Sequence, residues 1–104
     1  MVNRGDICWT ENPEEGRRPA LILTRSEAIP VLRKVTVAFL STRIRDIPTE
    51  VRLGVEDGLP KECVVSLENL RHISRAVLGE PITTLSGPRM HEVCRALAIA
   101  TGCD

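Results

Sequence analysis

The stretch Lys34-Val35-Thr36-Val37-Ala38-Phe39-Leu40 is rich in β-branched residues. Val35, Val37 and Phe39 alternate onto one side, as a strand requires. On its N-terminal side, Ala20-Leu21-Ile22-Leu23 is a short unbroken apolar run of the kind buried on both faces, and Ile7-Cys8-Trp9 follows the turn-forming Arg4-Gly5-Asp6. On its C-terminal side, Thr49 to Leu53 alternates polar and apolar residues, Glu62 to Leu67 forms a fifth strand, and Leu70 to Ile73 a short sixth. Asn12-Pro13, Gly16, Pro30, Pro48, Asp57-Gly58 and Pro60 fall between these runs as breakers. Only the C-terminus reads as a helix: Met90, Val93, Cys94, Leu97 and Ala98 recur at helical spacing. Ser86 caps its start, Pro88 suits the first turn, and Gly102 stops it. No helix-length segment separates the early strands, so the expectation is a mainly β protein with a C-terminal helix, built on a small, strongly curved antiparallel sheet or barrel.

A chain of 104 residues makes one domain, residues 1–104. With 42% hydrophobic and 27% charged residues it is globular, neither a disordered acidic tail nor a collagen-like repeat. No apolar run approaches the roughly 18 residues that span a bilayer, and the N-terminus lacks a secretory h-region, so a cytoplasmic protein with no membrane partner is expected. The four cysteines, Cys8, Cys63, Cys94 and Cys103, form no Cys-x-x-Cys pair. They read as small hydrophobes or, for Cys103, an exposed thiol, and neither a metal site nor a cofactor is expected. Fourteen basic and fourteen acidic residues cancel, which excludes a strongly basic nucleic-acid coat. The charges are unevenly spread: residues 31–54 hold five bases and two acids, a local +3 that can attract a polyanion.

No Gly-rich phosphate loop, His-Glu-x-x-His or Gly-x-Ser-x-Gly signature occurs. Topology supplies the lead. If residues 19–24 and 34–40 are consecutive antiparallel strands, Arg18 neighbours Ser41. Ser41-Thr42-Arg43-Ile44-Arg45-Asp46 and Pro48-Thr49-Glu50 then crowd onto the same end of the sheet. Guanidinium forks and neutral hydroxyls suit phosphodiester recognition, although both are also ordinary surface groups. His72 and His91 are far apart in the chain, and nothing in their spacing pairs them as acid and base. Trp9 and Phe39, the only aromatics, are expected in strand cores, so base stacking is not expected to be a main source of affinity.

Arg4-Gly5-Asp6-Ile7, Arg18-Pro19-Ala20-Leu21-Ile22-Leu23, the stretch from Ala38 to Val51, Gly58-Leu59-Pro60-Lys61-Glu62-Cys63-Val64-Val65 and Leu67-Glu68-Asn69-Leu70-Arg71 resemble, in this order, the MazF/PemK toxin family. The resemblance implies an SH3-like curved sheet with a C-terminal helix, of the CcdB/PemK kind. It also implies a homodimer and a metal-independent, sequence-selective endoribonuclease that acts on single-stranded RNA and is held in check by a cognate antitoxin. In the chemistry it implies, the ribose 2′-hydroxyl attacks the adjacent phosphate, leaving a 2′,3′-cyclic phosphate and a 5′-hydroxyl end. By the same resemblance Arg18 is assigned to the transition-state phosphate and Ser41 to the catalytic hydroxyl, with Thr42, one residue along, the neighbouring candidate for that hydroxyl and an expected RNA contact. Glu68, Asn69 and Arg71 match substrate-contacting positions. Arg17, Arg43 and Thr49 are further expected RNA contacts. The segment from Thr10 to Arg17 is shorter than in many relatives, and Glu14-Glu15 place negative charge near the proposed anion site. A nonenzymatic CcdB-like toxin that binds DNA gyrase through the C-terminal helix is the alternative, and a binding-only relative a third reading.

Overall fold

The computed structural model describes residues 2–12 and 16–103. Six strands form one antiparallel sheet: β1 (Asp6–Asn12), β2 (Gly16–Ile22), β3 (Lys34–Ser41), β4 (Glu50–Leu53), β5 (Cys63–Ser74) and β6 (Leu78–Thr84), followed by α1 (Gly87–Thr101). The strand order is β4-β5-β3-β2-β1-β6, so β3, the most regular stretch of the sequence, lies at the centre. The mainly β expectation therefore holds, and the sheet curls into a half-barrel.

Alternation along the central strands divides the interior in two. Ile7, Leu21, Ala38 and Leu40 point to one face, where Val93 and Ala96 of α1 complete a core with Val51, Leu53 and Val65. Cys8, Ala20, Ile22, Val35, Val37 and Phe39 point to the other, where Ile29 covers them. Each fully buried Ile, Leu or Val side chain contributes about 1.5–3 kcal/mol. The helix is capped as its sequence predicts: Ser86 Oγ accepts from the Arg89 amide, and Gly102 takes a left-handed φ of 71°. Its buried stripe is rotated from the expected one. Val93 and Ala96 are buried, Met90, Leu97 and Ala100 pack beside them, and Cys94 is exposed. Among the described residues no helix is long and apolar enough to cross a membrane.

Two further features differ from the sequence reading. The expected fifth and sixth strands are one strand, β5, with a large bulge at the presumed break. Two steps along β3, from Ala38 to Leu40, correspond to five along β5, from Leu70 to Val65. The extra residues bend the strand and leave Glu68 and Asn69 out of regular pairing, while Ser66 still pairs with Glu50 of β4. The second difference is β6, which contains Gly79 and Pro81 and was not among the expected strands. It is an edge strand, where a missing N–H is tolerated, and its pairing with β1 shifts register on both sides of Cys8.

Candidate active site

The site forms where β2 and β3 stop pairing. Their register runs Ile22 to Val37, Leu21 to Ala38 and Ala20 to Phe39, and ends there. Extended two more positions, it sets Arg18 across from Ser41. Pro19 has no N–H to continue the ladder, so the strands part, and the end of the sheet opens instead of zipping shut.

Two cavities flank that opening, and Arg18 and Ser41 line both. The first, of about 390 Å³, is walled mainly by apolar groups: Trp9, Pro19, Leu40, Leu59, Pro60, Cys63 and Ile82, with Thr42 and Lys61 the other polar residues. The second, of about 290 Å³, is walled by polar side chains: Arg43, Arg45, Glu50, Ser66, Glu68 and Asn69. Counting Arg18, the second holds three arginines against two carboxylates, so an anion meets a net positive wall.

Local bonds prepare the groups. The Arg18 guanidinium lies 4.5 Å from the centre of the Phe39 ring and, among the described residues, makes no ion pair. The ring holds the planar fork without occupying its donors. Ser41 Oγ accepts the Arg43 amide at 3.0 Å, which leaves its own O–H to donate outward. The loop after β3 is tied down by the Arg45 amide donating to Glu50 Oε1 at 2.9 Å and by Arg52 Nε standing 3.4 Å from Asp46 Oδ1.

The remaining expected residues separate into groups. Thr42 lines the apolar cavity only, while Arg43, Glu68 and Asn69 line the polar one only. Arg17 reaches neither directly; it pairs with Glu11 at 3.3 Å and lies 4.3 Å over the Trp9 ring. Arg71 is exposed and stands 5.9 Å from the Phe39 ring, outside both walls. Thr49 is buried and lines neither cavity, and its hydroxyl finds no hydrogen-bond partner among the described residues. The acidic pair Glu14-Glu15 lies outside the described residues.

Trp9 is misplaced by the sequence reading. It is half-buried in the cavity wall and not in a core, with Arg17 over its ring. Leu59, Pro60, Lys61, Ile82, Arg45 and Ser66 are further wall residues to which the sequence reading gave no site role. Only the chain's return through the β4–β5 connection and β6 brings the first four to Arg18.

Among the described residues no group of three His, Cys, Asp or Glu side chains could hold a metal ion. Burial pushes the Cys63 thiol above its ordinary pKa at the floor of the apolar cavity, and burial, with Asp6 and Glu80 adding to it, pushes Cys8 up to about 11. Neither is poised as a nucleophile.

Residues 3–101 match the family described as PemK-like, MazF-like toxins of type II toxin-antitoxin systems. The chain is 40% identical over 102 residues to the probable endoribonuclease MazF5 of Mycobacterium tuberculosis (strain ATCC 25618 / H37Rv), which covers 97% of this chain and 94% of that protein. Its fold is similar to that of the Mycobacterium tuberculosis toxin MazF-mt6, with a TM-score of 0.88 at 33% identity over 95% of this chain and 98% of that one. It is also similar to an endoribonuclease in complex with its cognate antitoxin from a mycobacterial species, with a TM-score of 0.89 at 26% identity over 100% and 98% of the two chains.

Proposed function

The chain belongs to the family of PemK-like, MazF-like toxins of type II toxin-antitoxin systems, and from that membership we propose that it is a sequence-selective endoribonuclease that cuts single-stranded RNA at a phosphate held between Arg18 and Ser41. One observation carries the reading. Two residues from different strands line the same two cavities at the place where the sheet opens.

The 2′-hydroxyl beside the scissile phosphate attacks phosphorus. The O2′–P bond forms as the P–O5′ bond breaks, the 2′-proton passes to water, and the leaving 5′-oxygen takes a proton from water. The products are a 2′,3′-cyclic phosphate and a 5′-hydroxyl end. Arg18 offers two parallel N–H donors to the non-bridging oxygens as negative charge builds there, and Ser41 donates its free O–H to the same phosphate. Because the nucleophile belongs to the substrate, the protein's work is alignment and charge stabilisation. A guanidinium does not readily surrender its proton, so Arg18 acts as an electrostatic clamp and not as a base.

The whole chain acts as one domain, in the cytoplasm and as a homodimer. Its antitoxin is a disordered acidic segment that folds across the arginine-bearing end and masks it. The test is incubation of the purified protein with a mixed RNA pool in chelator, followed by mapping of the new ends. Cleavage that survives chelation, leaves 5′-hydroxyl termini and disappears in Arg18→Ala is expected. Intact RNA together with inhibition of DNA gyrase would return the protein to the nonenzymatic alternative.

A further inference from the structure

The two cavities share Arg18 and Ser41 and nothing else, and their remaining walls differ in kind. A polynucleotide gripped at one phosphate by those two residues leaves it in two directions and meets a different wall on each side. We infer that the apolar cavity is a nucleobase slot, which takes the base on one side of the cleaved phosphate and selects it by shape and stacking, while the polar cavity reads the base on the other side by hydrogen bonds. This inference rests on the nuclease reading and adds a division of specificity to it.

Wall chemistry supports the assignment. Trp9, Pro19, Leu59 and Ile82 present flat or branched apolar surface with little to pair with a base edge, which suits the two faces of a heterocycle and not its rim. A volume of about 390 Å³ lies within the range of sites that enclose small ligands. Lys61 is the cation this cavity does not share with the polar one, and it is placed to meet the next phosphate as the chain leaves. In the polar cavity, Asn69 and Glu68 supply the amide and carboxylate that discriminate base edges.

The slot is also held open. Its outer wall, Leu59 to Lys61, follows the 3₁₀ turn at Val55–Asp57. That turn is fastened by the Asp57 carboxylate, which accepts from Arg89 of α1 at 2.9 and 3.3 Å, and by Thr83 Oγ1 of β6 donating to the Asp57 carbonyl at 2.9 Å. Gly58 closes it with a φ of 89°, and a Cβ there would come within 2.4 Å of Thr83 Oγ1. Helix and edge strand therefore hold the wall away from Trp9 instead of letting it collapse inward.

The test takes an RNA that the wild-type chain cleaves at one linkage and removes the base, with the ribose intact, from the nucleotide before or after that linkage. Filling the slot from its exposed rim with Pro60→Trp should slow cleavage of the intact RNA more than tenfold. On the RNA that lacks the slot base it should cleave about as fast as the wild-type chain cleaves that same RNA, with no such match when the opposite base is missing. Ile82→Phe, a smaller change deeper in the wall, should show the same one-sided rescue, and thermal melts will show which variants fold. Trp9→Ala should flatten base preference on that same side and weaken binding roughly 5- to 100-fold, whereas Asn69→Ala should change preference on the other. Folded slot variants that match wild type on every RNA, or that fail equally on all of them, would overturn the slot while leaving the nuclease reading intact. A wild-type chain that cuts none of the RNAs would overturn both.

Discussion

Arg18 and Arg89 are both arginines at the edge of a core, and their surroundings are opposite. Arg89 is saturated: it binds Asp57 at 2.9 Å, Glu92 at 3.1 Å and Glu56 at 3.4 Å, and the hydrogen bonds to Asp57 and Glu92 raise its pKa further. Arg18 rests against a ring and, among the described residues, faces no carboxylate at ion-pair distance. An arginine whose donors are consumed internally fastens two elements together. One that is oriented by packing alone keeps its donors for a ligand and so keeps the field that draws an anion.

Substitutions can break that contrast. The largest effect should come from Arg18→Ala, which is expected to slow RNA cleavage by about 10²- to 10³-fold, the scale of losing one charge-stabilising donor. It should cost only about 1 kcal/mol or less of stability, since a ring contact is all the fold loses; single-turnover rates and chemical melts on the same preparation measure both. Arg89→Ala should do the reverse, costing about 2 kcal/mol because the mostly buried Asp57 carboxylate is left without its cation. Its cleavage rate per folded molecule should fall much less than that of Arg18→Ala, and equal losses of rate in the two variants would erase the distinction.

The hydroxyls sharpen the same picture. Ser41→Ala should slow cleavage about tenfold, in line with loss of one hydrogen bond to a charged group. Thr42→Ala, at a residue that lines the apolar cavity and not the polar one, should slow cleavage less than Ser41→Ala does, since it removes no hydrogen bond to the phosphate. A reversed order would move the catalytic hydroxyl one residue along. The smallest effect concerns the thiols: at pH 8, iodoacetamide should modify exposed Cys94 and Cys103 well before Cys8 and Cys63, as peptide mass mapping would show. Cys8 should ionise only near pH 11, so the unfolded chain loses that thiol proton first, and stability should decline as pH rises from about 9.

Particular residues show how much was legible. The β3 alternation, the Ser86 cap and the Gly102 stop depend on neighbours within a turn or a strand, and the structure reproduces each of them. The placing of Arg18 beside the same cavities as Ser41 was also legible, because an antiparallel connection converts sequence distance directly into register. β6 was not, since Gly79 and Pro81 resemble a break until β1 is known to leave an edge for them. Trp9 was misjudged for a related reason: a strand pattern says which residues alternate, but not which face a curled sheet closes over.

By itself the sequence determined the antiparallel strand class, the capped terminal helix, and the arginine and hydroxyl that meet at one end of the sheet, because each follows from local periodicity or from the register of adjacent strands. Only the tertiary structure decided that the β5 bulge delivers Glu68 and Asn69 to one side of that pair while the wall clasped by Arg89 and Thr83 opens an apolar cavity on the other. Both outcomes depend on contacts between residues distant in the chain, made when the sheet curls, and no local pattern encodes the direction of that curl.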